Sequence, residues 1–98
     1  MAGFVQIVEF KSSKSEELMA LGDEMEPQRQ SGTARRLVIT ADRDRPGHYF
    51  SIIEFDSYEE AMENSNRPET SEFAAKMAEL CDGPPTFRNL DVQKTWQQ

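Results

Sequence analysis

The chain has 98 residues, enough for one domain covering residues 1–98. Eighteen acids against eleven bases give a net charge of −7, which works against phosphate-backbone binding and against attraction to anionic membranes. One cysteine, Cys81, excludes an internal disulfide and a multi-cysteine zinc site. Phe4 to Phe10 (FVQIVEF) is rich in aromatic and β-branched residues and predicts a first, central strand. Ser13 and Glu16 have the S-x-x-E spacing of a capping box. Leu18, Leu21, Gly22 and Met25 then follow at one-face helical spacing, Pro27 closes that helix, and Ser31-Gly32 is the turn out.

Thr33 to Ala41 predicts a second strand and His48 to Phe55 a third. The DRDRPG segment between them has turn chemistry, so the two strands are expected to pair as an antiparallel hairpin. Ser57 and Glu60 repeat the capping-box spacing and start a short helix, which Asn64-Ser65-Asn66 interrupts. Pro68 suits the first turn of a second helical piece, for which Asn66 is the expected cap. Phe73, Ala74, Met77, Leu80 and Cys81 would form its apolar face. Asp82-Gly83-Pro84-Pro85 stops it, and a last strand runs from about Thr86 to Lys94.

This order predicts an α+β, ferredoxin-like β-α-β-β-α-β fold: a four-stranded antiparallel sheet in the order 4-1-3-2 with both helices on one face. The other face carries apolar residues with nothing to cover them, and a homodimer that buries two such faces is the expected solution. No apolar run approaches the ~20 residues of a membrane span. Met1-Ala2-Gly3-Phe4 leads straight into a strand without a signal-peptide pattern, so the expected compartment is the cytoplasm.

His48 is the only side chain with an ordinary pKa near neutrality and is the natural acid–base candidate, set against a surface position at a hairpin end. Tyr49 and Tyr58 could each donate a hydrogen bond to a ligand or simply pack their rings. Asn64 and Asn66 mark a helix break that would border a cleft, or cap helices. Arg88 shares a strand face with Leu90 and Val92 and could hold an acidic ligand or pair with a carboxylate. Cys81 lies among apolar residues and reads as a buried thiol. Asp42, Asp44 and Asp56 lack calcium-loop spacing, and no His–carboxylate set has zinc spacing, so no metal is expected.

The strand and turn HYFSIIEFDSYEEAM, the break NSNRPET and the ending FAAKMAELCDGPPTFRNLDV resemble the antibiotic biosynthesis monooxygenase-like family of dimeric α/β-barrel proteins, over nearly the whole chain. The resemblance implies a homodimer with a shared barrel and, in each subunit, a cleft between the helices and its own sheet. It further implies an apolar or aromatic small-molecule ligand and, where such proteins are catalytic, oxygenation without metal or flavin. Of the family's polar groups, Asn64 and Asn66 stand in the matching region and Arg88 offers a cation, while Trp96, the only tryptophan, lies in the tail. Haem-degrading relatives place a His on the second helix, and this chain has none there, so neither haem nor another cofactor is expected. Three functions follow as alternatives: a ligand-binding protein or cofactor-independent monooxygenase of that family, a non-catalytic homodimeric carrier or interaction module, and an isomerase or decarboxylase with an acid–base pair near His48.

Overall fold

The structure is a computed structural model that describes residues 3–24 and 32–96. Its elements are β1 (Phe4–Lys11), α1 (Ser15–Glu24), β2 (Arg36–Ala41), β3 (His48–Phe55), α2 (Tyr58–Ser65), α3 (Pro68–Leu80) and β4 (Thr86–Asp91). The strands form one antiparallel sheet in the order β2-β3-β1-β4, the expected 4-1-3-2 arrangement seen from the other edge. Met25, Pro27 and Ser31, assigned from sequence to the end of the first helix and its turn, lie outside the described residues.

Register fixes which side chains share a face. Phe4, Gln6, Val8 and Phe10 of β1 pair with Phe55, Ile53, Ser51 and Tyr49 of β3, and this is the face toward the helices. Val5, Ile7 and Glu9 alternate to the outer face, opposite Glu54, Ile52 and Phe50. Both faces of β1 are apolar, as a central strand requires. The inner-face core forms two clusters. Phe4, Phe55 and Ala61 make one, with Ala34, Ile53 and Met62 against it; Val8, Phe10 and Leu18 make the other, with Tyr49, Met77, Leu80 and Cys81.

Local chemistry explains the helix starts and corrects two of them. Leu18 N–H bonds Lys14 C=O, which puts Lys14 at the cap position of α1, one residue beyond the expected Ser13. Ser12 is the serine that matters: its hydroxyl accepts from Lys14 N–H at 2.9 Å and donates to Leu80 C=O at 2.6 Å, tying α1 to the end of α3. At α2, Ser57 caps as expected, accepting from Glu60 N–H at 3.2 Å. Asn66 is the C-cap of α2 rather than the N-cap of α3, which is Arg67. The reason is Pro68: the residue before a proline is pushed to extended backbone, and extended backbone is the N-cap conformation. β2 begins at Arg36 instead of Thr33, and β4 ends at Asp91 because its partner strand runs out at Phe4. No helix among the described residues is long and apolar enough to cross a membrane.

The DRDRPG turn is closed by its own side chains. Asp42 accepts from Asp44 N–H at 3.0 Å and from Arg45 Nε at 2.8 Å. The first of these bonds, then the second, holds the Asp42 carboxyl below the usual carboxylate range. At the start of β1, Gly3 approaches another backbone closely. A Cβ there would lie 2.5 Å from the Asp56 carbonyl oxygen. Gly3 cannot retreat, because its N–H bonds Phe55 C=O at 2.9 Å and its C=O accepts from Val92 N–H at 3.0 Å. Gly3→Ala is expected to lower stability by about 1–3 kcal/mol, the usual range for forced overpacking. Urea unfolding measures it, and an unchanged midpoint would show that this junction yields freely.

Candidate functional site

Between the two core clusters the sheet and helices leave a cavity of about 160 Å³. Its floor is the inner sheet face: Gln6 and Phe10 of β1, Leu37 and Ile39 of β2, Ser51 and Ile53 of β3. One wall is α1, through Leu18, Met19 and Gly22. A Cβ added at Gly22 would meet nothing within 4 Å, so the helix there faces open space. Phe73 and Met77 of α3 form the roof. The void accounts for a feature of α3, which has no fully buried residue although Phe73 and Met77 point inward.

The cavity's polar side comes from the α2–α3 break. Asn64, Ser65, Arg67, Glu69 and Thr70 all line it. Three causes bring them there: α2 stops at Ser65, Pro68 sets Arg67 extended, and α3 restarts at Pro68. Arg67 donates to Glu69 at 2.7 Å with its side chain 20% exposed, so the two charges cancel within the cavity wall. The Glu69 side chain is 40% exposed, so water screens this pair in part. Ser51, on the floor, is 8% exposed and is, with Gln6, one of two polar side chains on a floor otherwise made of Phe10, Leu37, Ile39 and Ile53.

The residues named from sequence are dispersed. Asn64 lines the cavity. Asn66, two residues on, is exposed and serves its backbone N–H to Met62 and Glu63 carbonyls. Tyr58 is 51% exposed and sets its ring edge-on to Phe4, with centroids 5.5 Å apart. Tyr49 stacks on Phe10 at 5.6 Å. His48 and Arg88 are on the outer face of the sheet, across from the cavity: His48 stands opposite Lys11, and Arg88 pairs with Glu9 at 3.3 Å. An acid–base pair built on His48 would therefore not serve this cavity. Burial, with a smaller contribution from Asp82, pushes the Cys81 thiol up, so it stays protonated and unreactive near neutrality. Among the described residues no three His, Cys, Asp or Glu side chains gather as metal ligands.

Sequence reasoning missed Arg67, Glu69 and Ser51. The first two stood within the NSNRPET break, where the charged pair flanks the proline that creates it. Ser51 carried a signal as well: in HYFSIIEF the inner positions are Tyr49, Ser51, Ile53 and Phe55, and only one of the four is small and polar.

No family model matches the chain, and no curated protein matches it by sequence. Solved structures do match in shape. A conserved protein from Methanosarcina mazei Go1 superposes with a TM-score of 0.83 at 10% identity, covering 95% of each chain. A cofactor-independent oxygenase from Streptomyces nogalater gives 0.82 at 11% identity over the full length of both chains. A protein described as an antibiotic biosynthesis monooxygenase gives 0.75 at 15% identity, over 93% of this chain and 99% of the other. At these identities what is shared is the backbone plan, and the chain has the α+β, ferredoxin-like fold of the antibiotic biosynthesis monooxygenases that its sequence resembles.

Proposed function

We propose that this protein binds a small aromatic molecule in the cavity between its helices and sheet, and oxygenates it without a metal or organic cofactor. The observation that carries the reading is the cavity's composition: a mainly apolar floor and roof, with Asn64 and the Arg67–Glu69 pair gathered at the helix break. Oxygenation of this kind needs an electron-rich anion, since a phenolate or enolate can pass electrons to dioxygen directly. Glu69 is the carboxylate among the described lining residues and is the proposed acceptor of the substrate proton. With Glu69 protonated, the Arg67 charge stands near the phenolate in the same wall, and the Asn64 amide can donate to its oxygen. With a hydroquinone as substrate, one oxygen atom enters the ring and the other leaves as water, and the substrate supplies all four electrons. The kinship in fold with a cofactor-independent oxygenase supports the same reading.

The outer sheet face is the proposed homodimer interface, where Val5, Ile7, Val38, Phe50 and Ile52 form an apolar surface flanked by the Arg36–Glu54 and Arg88–Glu9 pairs. A carrier is the second reading, favoured by the commitment of Glu69 to Arg67. Oxygen uptake with a panel of hydroquinones and anthrones separates the two. Uptake that depends on the protein and falls at least about tenfold in Glu69→Gln supports the oxygenase; binding without uptake supports the carrier. Gly22→Leu provides the test of location. It should fill the cavity and abolish binding while raising helix stability by up to about 1 kcal/mol. Undiminished binding in that variant would move the site elsewhere.

A further inference from the structure

Resting on the reading of the cavity as the ligand site, we infer that its ligand is a neutral, single-ring molecule whose hydroxyl or carbonyl oxygen is hydrogen-bonded by Ser51. Size is the first ground. An apolar cavity of about 150 Å³ holds one benzene ring, and the cavity here measures about 160 Å³. The cavity opens to solvent on one side, and a single ring matches its inner part.

Charge is the second ground. The described lining residues include one cation, Arg67, and one anion, Glu69, and these two bond each other. A ligand arriving as a carboxylate would bring an uncompensated charge into an apolar enclosure, on a protein already at −7. A neutral phenol or quinol brings none. Its proton can still pass to Glu69 afterwards, with the total charge of the cavity unchanged.

The third ground is Ser51 itself. It sits mid-strand on the inner face of β3, between Val8 of β1 and Ile39 of β2, and is more than nine-tenths buried. Among the described residues its hydroxyl forms no hydrogen bond, yet it borders the cavity. The oxygen opens onto the cavity rather than being sealed in the core, so it is positioned to bond a ligand there. A ligand oxygen placed over the floor meets it in surroundings where few other polar groups compete. Ser51 thus belongs to the sheet side of the site, and Asn64 with Arg67 and Glu69 to the helix side. A ring bound between them can have one oxygen read by each wall, as a 1,4-quinol does.

Calorimetric titration of phenol, toluene, benzoate and anthrone into the wild type and Ser51→Ala tests this. Phenol should bind the wild type about fivefold tighter than toluene, the effect of one hydrogen bond. In Ser51→Ala that preference should collapse toward one while toluene affinity holds; Ser51→Cys, nearly the same shape with a weaker donor, should fall between and serves if the Ala variant does not fold. Equal binding of phenol and toluene by the wild type, or a preference unchanged in both variants, overturns the role of Ser51. Tightest binding of benzoate overturns the neutral ligand, and tightest binding of anthrone overturns the single ring. Failure of all four to bind overturns the cavity reading itself, an outcome distinct from toluene binding without preference for phenol.

Discussion

Phe55→Ala is expected to be the most damaging truncation in the chain, costing about 3–5 kcal/mol. Phe55 is 1% exposed, the largest fully buried side chain among the described residues, and closes one end of the sheet against α2. Its ring centroid lies 6.3 Å from that of Phe4, which in turn receives the edge of Tyr58, and Ala61 of α2 packs on the same group at 1% exposure. The neighbours cannot collapse into the space, because Phe4 is pinned by the Gly3 junction and Ala61 by the Ser57 cap. A domain of this size has about 5–15 kcal/mol in all, so the loss takes a large share of it. With a slope of roughly 1–2 kcal/mol per molar urea, the midpoint at fixed protein concentration should fall by about 1.5–5 M. Phe87→Ala is the contrast: Phe87 is 56% exposed on the edge strand, and its loss should stay within about 0.5 kcal/mol. A Phe55→Ala loss no larger than that of Phe87→Ala would mean that this cluster does not hold the sheet to α2.

What could be read from sequence, and what could not, follows from how local each signal is. β3 was legible to the residue, His48–Phe55, because a proline–glycine turn bounds one end and the Ser57 cap the other. The start of β2 was not: the Thr33 hydroxyl goes to Glu60 C=O and the Arg35 side chain to Asp56, while the Arg35 N–H still reaches Glu54 C=O of β3 at 2.8 Å just before the assigned strand. The cap of α3 was misread by weighing residue preference, which favours Asn66, above the steric effect of Pro68, which decides for Arg67. The same imbalance hid half of the site. Alternation correctly placed Arg88 with Leu90, but it could not say whether that face looks toward the helices or away. Both faces of β1 are apolar, with Phe4, Val8 and Phe10 on one side and Val5 and Ile7 on the other, so hydrophobicity alone does not mark the inside. Only the pairing of β1 with β3 and β4 assigns Arg88 and His48 to the outer face and Ser51 to the cavity.

That outer face carries the second large effect. Ile52→Asp is expected to convert a species of about twice the 11.2 kDa chain mass into one of 11.2 kDa, measured by light scattering. Ile52 lies at the middle of the face, paired with Ile7 on one side and Val38 on the other, and the ion pairs of Glu9 and Glu54 lie toward the edges. In a single chain Ile52 is only half-buried, so a carboxylate there reaches water and the fold survives. Pressed against a second copy, two such carboxylates meet apolar surface, each losing its hydration without a cation to replace it. Several kcal/mol of lost association amounts to more than about a hundredfold in dimer affinity. Ile52→Val, which keeps the apolar contact, should leave the mass unchanged. A wild-type mass of 11.2 kDa, or a dimer that tolerates the aspartate, would remove this face as the interface. The cavity lies across the sheet from Ile52, on the face toward the helices. The monomeric variant should therefore still bind its ring compound, and loss of binding on dissociation would show that the second copy completes the site.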